Sequence, residues 1–156
     1  MTDTYEALLE ESIEIAAPPA RVWALVTDLP AMSARSPQVV KTWVKGGAVR
    51  QGATFTNLNR DRFLFWPTQG KVVDFDAEKR FAFRIKENKV VWSFTLEPTA
   101  DGGTRLIERR ETPQGISDVS LRLTKIAFGG QPKFTGGLKA GMRQTLAALK
   151  AEAERP

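Results

Sequence analysis

The chain contains no cysteine and no histidine, and its single tyrosine, Tyr5, lies near the amino terminus. Without cysteine there are no disulfide bonds and no thiolate nucleophiles, and without both residue types the usual zinc sites cannot form. The absence of histidine also excludes any catalytic triad built on imidazole. Carboxylates, amides, hydroxyls and basic side chains are therefore the groups left for chemistry.

Long apolar runs are missing as well. No stretch of about 18 apolar residues occurs, so we expect no integral membrane association. The opening MTDTYEALLEES is acidic and lacks the basic-then-apolar pattern of a secretory signal. Because 156 residues without linkers or repeats suit one core, we predict a single cytoplasmic domain over residues 1–156, present as a monomer or homodimer.

Motifs for nucleotides and metals are also absent. The Gly-Gly pairs that begin at Gly46, Gly102, Gly129 and Gly136 lack the strand-loop-helix context of phosphate and dinucleotide sites. They indicate turns instead. We therefore expect no cofactor and no bound metal.

Basic residues outnumber acidic ones by 23 to 18, which gives a formal net charge of +5. A basic surface attracts nucleic acid and anionic membranes at long range. Over residues 80–86, basic side chains alternate with Phe81, Phe83 and Ile85, which is typical of a strand with one solvated face. We favour that interpretation and expect no nucleic-acid partner. Docking of the basic face on RNA, a ribosome or an anionic membrane is the weaker alternative.

The most informative segment is IEIAAPPARVWALVTDL, residues 13–29. Apolar residues alternate at 13–17, which predicts a half-buried strand. The Pro-Pro pair at 18–19 suits the first turn of a helix, which continues to residue 29 and is followed by a helical turn at 31–36. The apolar stripe of this helix comprises Val22, Trp23, Val26 and Leu29.

Six further segments have the pattern of strands: residues 39–45, 53–60, 63–75, 80–86, 90–97 and 104–111. Short turns such as Asp101-Gly102-Gly103 join neighbours, which predicts an antiparallel sheet of six or seven strands. Pro67 cannot donate to a ladder, so it indicates an edge position or a bulge that helps the sheet curve.

Two helices are predicted after the strands, at residues 117–128 and 134–154, separated by Gly-Gly-Gln-Pro. A sheet of this size is roughly 30 Å wide and one helix only about 10 Å, so the sheet must bend around the last helix and leave a half-pipe. Gly136, Gly137 and Gly141 would leave volume at one end. Alternatively, the first two lie in a loop or in the frayed first turn of the helix, and the core closes over them. The apolar stripe of the last helix comprises Leu138, Met142, Thr145, Leu146 and Leu149.

Four segments resemble the START-like superfamily, also called SRPBCC: IEIAAPPARVWALVTDLPAMSARSP at 13–37, DFDAEKRFAF at 74–83, WSFTLEPTADGGTRLIER at 92–109 and GMRQTLAALKAEAE at 141–154. Within it, the chain is most similar to bacterial polyketide cyclase/dehydrase-type members. The resemblance covers nearly the whole chain. It implies an α+β helix-grip (START-like, Bet v 1-like) fold, with a curved antiparallel sheet around a long C-terminal helix and a hydrophobic ligand cavity between them.

Nine residues are predicted to line that cavity and bind ligand: Phe55, Asn57, Trp66, Phe83, Trp92, Phe94, Glu108, Leu138 and Met142. The large apolar ones have ordinary core packing as an alternative. Asn59 and Arg60 are further polar candidates. Glu108 and Arg110 share a strand face with Leu106, so they are either a catalytic acid/base pair or a structural ion pair.

Two functions fit these features. The first is binding of a small hydrophobic or amphipathic ligand, such as a lipid, polyketide or isoprenoid, with residues 114–133 as a mobile lid. The second is a polyketide cyclase/aromatase-type or lyase-type enzyme in which Glu108 and Arg110 are catalytic. We favour binding, because neither histidine nor an internal tyrosine is available for proton transfer.

Overall fold

The computed structural model describes residues 8–112 and 131–156, and the side chains of residues 8–112 and 137–156. Strands dominate this part of the chain, and a long helix closes it. In chain order the elements are β1 (Leu8–Ile15), α1 (Pro19–Val26), α2 (Leu29–Met32), β2 (Val39–Val44), β3 (Thr54–Asp61), β4 (Leu64–Asp76), β5 (Arg80–Ile85), β6 (Val91–Pro98), β7 (Thr104–Glu111) and α3 (Gln131–Ala153).

The seven strands form one curved antiparallel sheet in the order β1-β7-β6-β5-β4-β3-β2. Neighbours in the sequence are neighbours in the sheet, except that β1 closes onto β7. Helix α3 packs against β1, β7 and α1. The predicted α+β helix-grip architecture, with two short helices after the first strand, is confirmed.

Helix α1 packs on the sheet through its apolar stripe. Val22 and Val26 are completely buried. The half-buried Trp23 meets the rings of Phe75 and Phe81 edge-on, with centroid distances of 5.1 and 6.3 Å. Each such aromatic pair contributes about 0.5–1.5 kcal/mol beyond area burial, so Trp23 is a core residue at the junction of helix and sheet.

The carboxyl end of α3 is fastened to the start of the chain. Arg21 donates to the carbonyls of Ala153 and Glu152, both at 3.0 Å. Arg35 forms an ion pair with Glu152 at 2.6 Å, and Lys150 donates to the Glu14 carbonyl at 2.9 Å. Since the last carbonyls of a helix lack partners within it, the two Arg21 hydrogen bonds satisfy two of them. All four contacts together fix this end of α3.

Several predicted boundaries change. Strand β1 begins at Leu8 and not at residue 13, and α2 begins at Leu29 and not at residue 31. Gly136 and Gly137 lie in α3 beyond its first turn, so the alternative that places them in a loop or in the first turn is wrong. The predicted helix at 117–128 lies outside the described residues, as does the proposed lid up to Gly130, while residues 131–133 begin α3.

Pro67 does not interrupt β4, which runs without a break for 13 residues. Its partner is Leu58 of β3, whereas the pairing of β4 with β5 starts only at Gly70. Pro67 therefore occupies a local edge, where a missing N–H costs no ladder bond. The irregularity of β4 lies between Val72 and Asp74 instead.

Candidate functional site

An apolar cavity of about 200 Å³ lies between the sheet, α2 and the start of α3. We call it the inner cavity. Most of its large apolar lining comes from strands in the middle of the sheet, and it is completed by helical residues. The principal apolar residues are Val26, Leu29, Met32, Val39, Phe55, Trp66, Phe83, Ile85, Trp92, Phe94 and Leu138.

A second space of about 330 Å³ adjoins the inner cavity. The two share six lining residues: Ser36, Gln38, Trp92, Glu108, Leu138 and Thr145. We call the second space the hairpin-side cavity, because residues 60–62 at the end of β3 line it. Gly137 and Gly141 of α3 also line it. This agrees with the prediction that the small residues of the last helix leave volume at one end of the half-pipe. Together the two spaces fall within the size range of small-molecule sites, about 300–1,000 Å³.

The apolar wall depends on a glycine. Phe55 and Gly70 are directly opposite in the β3–β4 ladder, and a Cβ built on Gly70 would lie 2.2 Å from Cζ of Phe55. The missing side chain lets the Phe55 ring lie over β4 and meet Phe83 edge-on at 5.2 Å. Phe55 is therefore both a core residue and a cavity residue.

Polar groups face the cavity from β2, β3 and β4. The Thr42 hydroxyl donates to Asn57 Oδ1 at 2.7 Å. Asn59 Nδ2 donates to the Trp66 carbonyl at 3.1 Å and to Thr68 Oγ1 at 2.9 Å. These bonds hold two amides in place along an otherwise apolar wall.

Glu108 is the most perturbed acid of the described chain. It is 4% exposed, and its Oε1 has no hydrogen-bond partner among the described residues. Burial raises the pKa of Glu108 to about 8, and the negative charge of Glu11 adds to the effect. Glu11 lies directly opposite Glu108 in the β1–β7 ladder and pairs with Arg143 of α3 at 2.9 Å.

Arg110 lies two residues further along the same face. It is 6% exposed, its Nε has no hydrogen-bond partner within residues 8–112 and 137–156, and burial lowers its pKa to about 10. Its guanidinium carbon lies 5.8 Å from the ring centre of Trp92, which is its cross-strand partner. Arg110 therefore remains charged at neutral pH, beside an aromatic ring that attracts cations.

The predicted ion pair between Glu108 and Arg110 is not formed: within the described residues neither a salt bridge nor a hydrogen bond joins them. Their cross-strand partners explain this. Glu108 lies opposite Phe94 and Arg110 opposite Trp92, and Arg110 packs on its aromatic partner. The two side chains present separate polar atoms to the cavities.

The structure brings the predicted ligand-binding residues together. Eight of the nine line the inner cavity, and Met142 lines the hairpin-side cavity. Asn59 lies with the first group and Arg60 with the second. Their contact with a ligand stays a prediction. In residues 8–112 and 131–156, no cluster of three or more acidic side chains could hold a metal ion.

Glu11, Thr42 and Thr68 were missed from the sequence. The spacing of Leu9, Glu11 and Ile13 continues the alternation of β1 backwards and could have placed Glu11 inside. Thr42 and Thr68 gave no such signal, because a threonine in a strand is as common on the wet face.

The outer face of β2 to β5 is basic. Exposed Lys45, Lys71, Arg84 and Lys86 surround a groove with Trp43 at its side. Phe81 and Ile85 are buried on the opposite side of β5, so the alternation over residues 80–86 does mark a solvated face. Among the described helices, none is both long and apolar enough to cross a membrane.

Comparison with known families gives the identity of the fold. The sequence profile of the family described as polyketide cyclase/dehydrase and lipid transport matches residues 6–154. The chain belongs to this family. The resemblance to the polyketide cyclase/dehydrase-type members of the SRPBCC superfamily is thereby confirmed. None of the curated proteins compared with the chain matches it significantly.

Several solved structures of similar proteins share the fold of this chain. A polyketide-cyclase-like protein from Corynebacterium glutamicum is 28% identical, with a TM-score of 0.58 over 92% of this chain and 89% of that one. The ZhuI aromatase/cyclase from Streptomyces sp. R1128 is 16% identical, with a TM-score of 0.76 over 95% and 93%. The di-domain aromatase/cyclase StfQ of the steffimycin pathway is 15% identical, with a TM-score of 0.73 over 95% of this chain and 50% of its own.

Proposed function

We propose that the protein binds a small, largely apolar molecule that carries at least one oxygen function. The observation that carries this proposal is the pairing of an apolar cavity with two buried polar atoms, Glu108 Oε1 and Arg110 Nε, that have no hydrogen-bond partner in the part of the chain that the structure describes. Buried polar atoms are nearly always hydrogen-bonded, and each exception calls for an explanation. A ligand oxygen held between them supplies one.

The protonation state of Glu108 sets what it offers to a ligand. With a pKa of about 8, its carboxyl is mostly neutral at pH 7, so it donates one hydrogen bond and accepts others. Arg110 donates only. A carbonyl or hydroxyl oxygen suits both groups, whereas a cationic ligand would meet the Arg110 charge.

The family description supports the ligand class. It includes both lipid transport and polyketide chemistry, and the rings of Phe55, Phe83 and Trp92 line a space suited to either. A lipid, polyketide or isoprenoid with a polar end is therefore the expected ligand. Its apolar part packs on the aromatic wall, and its oxygen lies at β7.

Ligand binding is tested by native mass spectrometry after mild purification and by thermal shift against fatty acids, isoprenoid alcohols and aromatic polyketides. Bound ligand, or stabilisation by one class, is expected. Glu108→Leu should weaken binding at least tenfold, because a ligand hydrogen bond to a buried group is lost. Glu97→Gln, which removes an exposed carboxylate on β6, is the control. A ligand-free protein with no shift across the panel contradicts the proposal.

A second candidate is cyclase-type catalysis, and the position of Glu108 beside Arg110 favours it. Ionised Glu108 would take a proton from the carbon next to a substrate carbonyl, and Arg110 would donate hydrogen bonds to the enolate oxygen that forms. The nearby aromatase/cyclase structures are consistent with this chemistry. Glu108→Gln should abolish turnover of a polyketide and leave its binding largely intact. Equal loss of both would contradict catalysis.

A further inference from the structure

The turn between β3 and β4 exposes three consecutive apolar side chains. Phe63 is 94% exposed, Leu64 47% and Phe65 57%. Asp61 pairs with Leu64 in the ladder, so Arg62 and Phe63 form a two-residue turn at the end of the hairpin. Residues 60–65 are called the hairpin tip below. Contiguous apolar surface of this kind marks an interaction site.

The backbone conformation at Arg62 in the tip is unusual for an arginine. Arg62 has a φ of 57°, in the left-handed region that two-residue hairpin turns usually fill with glycine, asparagine or aspartate. A glycine there would relieve the strain. The turn itself therefore does not account for an arginine at this position.

The charge beside the apolar side chains is net positive, since Arg60 and Arg62 flank the single acid Asp61. Arg60 and Arg62 are both exposed. Arg60 Nε donates to the Arg62 carbonyl at 3.0 Å, and its guanidinium carbon lies 5.5 Å from the ring centre of Phe65. A projecting apolar tip with arginines beside it is the arrangement that inserts into an anionic membrane interface, where aromatic groups enter the headgroup region and cations bind phosphates.

We propose that the hairpin tip docks on an anionic lipid bilayer, with Phe63 inserted at the headgroup level and Arg60 and Arg62 on lipid phosphates. This docking is independent of which ligand the cavities bind. The position of the tip links docking to the cavities, because residues 60–62 also line the hairpin-side cavity. Docking would bring that cavity against the bilayer surface.

The test is co-sedimentation of the whole chain with vesicles of phosphatidylcholine alone and of phosphatidylcholine with phosphatidylglycerol, at low and at physiological salt. Binding is expected to the anionic vesicles and to weaken with salt. Phe63→Ser should weaken it about tenfold. Arg62→Gly should weaken it about fivefold and at the same time raise Tm, because it relieves the turn.

The matched control is Val73→Ser, which removes a 40% exposed apolar side chain at the other end of β4 and should leave vesicle binding unchanged. No sedimentation with anionic vesicles overturns the proposal, and so does undiminished binding of folded Phe63→Ser. A dimer in analytical ultracentrifugation that dissociates in Phe63→Ser, without vesicle binding, would assign the tip to a second copy and overturn it as well.

Discussion

Replacement of Glu108 by glutamine should change the pH dependence of folding stability. The folded state holds the Glu108 proton up to a pKa of about 8, well above the ordinary value of 4.5. Between these values the folded chain binds one proton more than the unfolded chain at this site, so stability falls as pH rises. The stability associated with the protonated Glu108 is fully present below pH 4.5 and is lost by about pH 8.

The size of the effect follows from the same two values. Each pH unit in which the folded and unfolded states differ by one proton is worth about 1.4 kcal/mol, and the interval from 4.5 to about 8 covers between three and four units. Glu108 should therefore lower the free energy of unfolding by about 5 kcal/mol over this range. Glutamine has nearly the shape of the neutral acid and does not titrate.

The assay is chemical unfolding of wild type and Glu108→Gln at pH 5, 6, 7, 8 and 9. The two proteins should have similar free energies of unfolding near pH 5. As the pH rises to about 8, the variant should become progressively more stable than wild type, and above that pH the difference should stay constant. Other groups titrate in both proteins and cancel in the difference. Glu97→Gln controls for the loss of one carboxylate. Parallel stability curves for wild type and Glu108→Gln would refute the reasoning.

Three other changes test the packing and the electrostatics. Gly70→Ala should destabilise the fold by about 1–3 kcal/mol in urea unfolding, because its Cβ would displace the Phe55 ring; unchanged stability would contradict the close contact. Gly137→Ala should instead stabilise α3 by about 0.5–1 kcal/mol, because no atom of the described residues lies within 4 Å of a Cβ built there; a loss of stability would show that the space is filled. Glu11→Gln should lower the pKa of Glu108, because it removes a facing negative charge, as measured by NMR titration of the carboxyl carbon; an unmoved titration would exclude that coupling.

The fold was predictable where one side of an element is wet. In β5 the inward positions carry Phe81 and Ile85, and the charged Arg80 and Arg84 on the other face make the period of two visible. Helix α1 was found for the same reason. The start of β1 was missed because Glu11 points inwards, which reverses the pattern that marks a strand.

The sequence predicted which residues line the cavities, but it did not predict which of their side chains contact one another. Alternation alone places Glu108 and Arg110 on one face, and the structure agrees. Whether they touch depends on the cross-strand neighbours Phe94 and Trp92, and a register between distant strands cannot be deduced from either strand alone. The volume beside Gly137 likewise depends on how closely α3 approaches the sheet.

The lack of histidine makes the position of Glu108 significant. Histidine is the side chain that ordinarily titrates between pH 5 and 8, and this chain has none. Burial, together with the Glu11 charge across the ladder, moves a carboxyl into that range instead. A fold selected for stability alone would favour an apolar side chain at this site, since a buried ionisable group without a partner lowers stability. Because Phe94, Leu106 and Trp92 already form an apolar surface around it, the packing of β7 does not account for the acid, whereas the proposed ligand oxygen would.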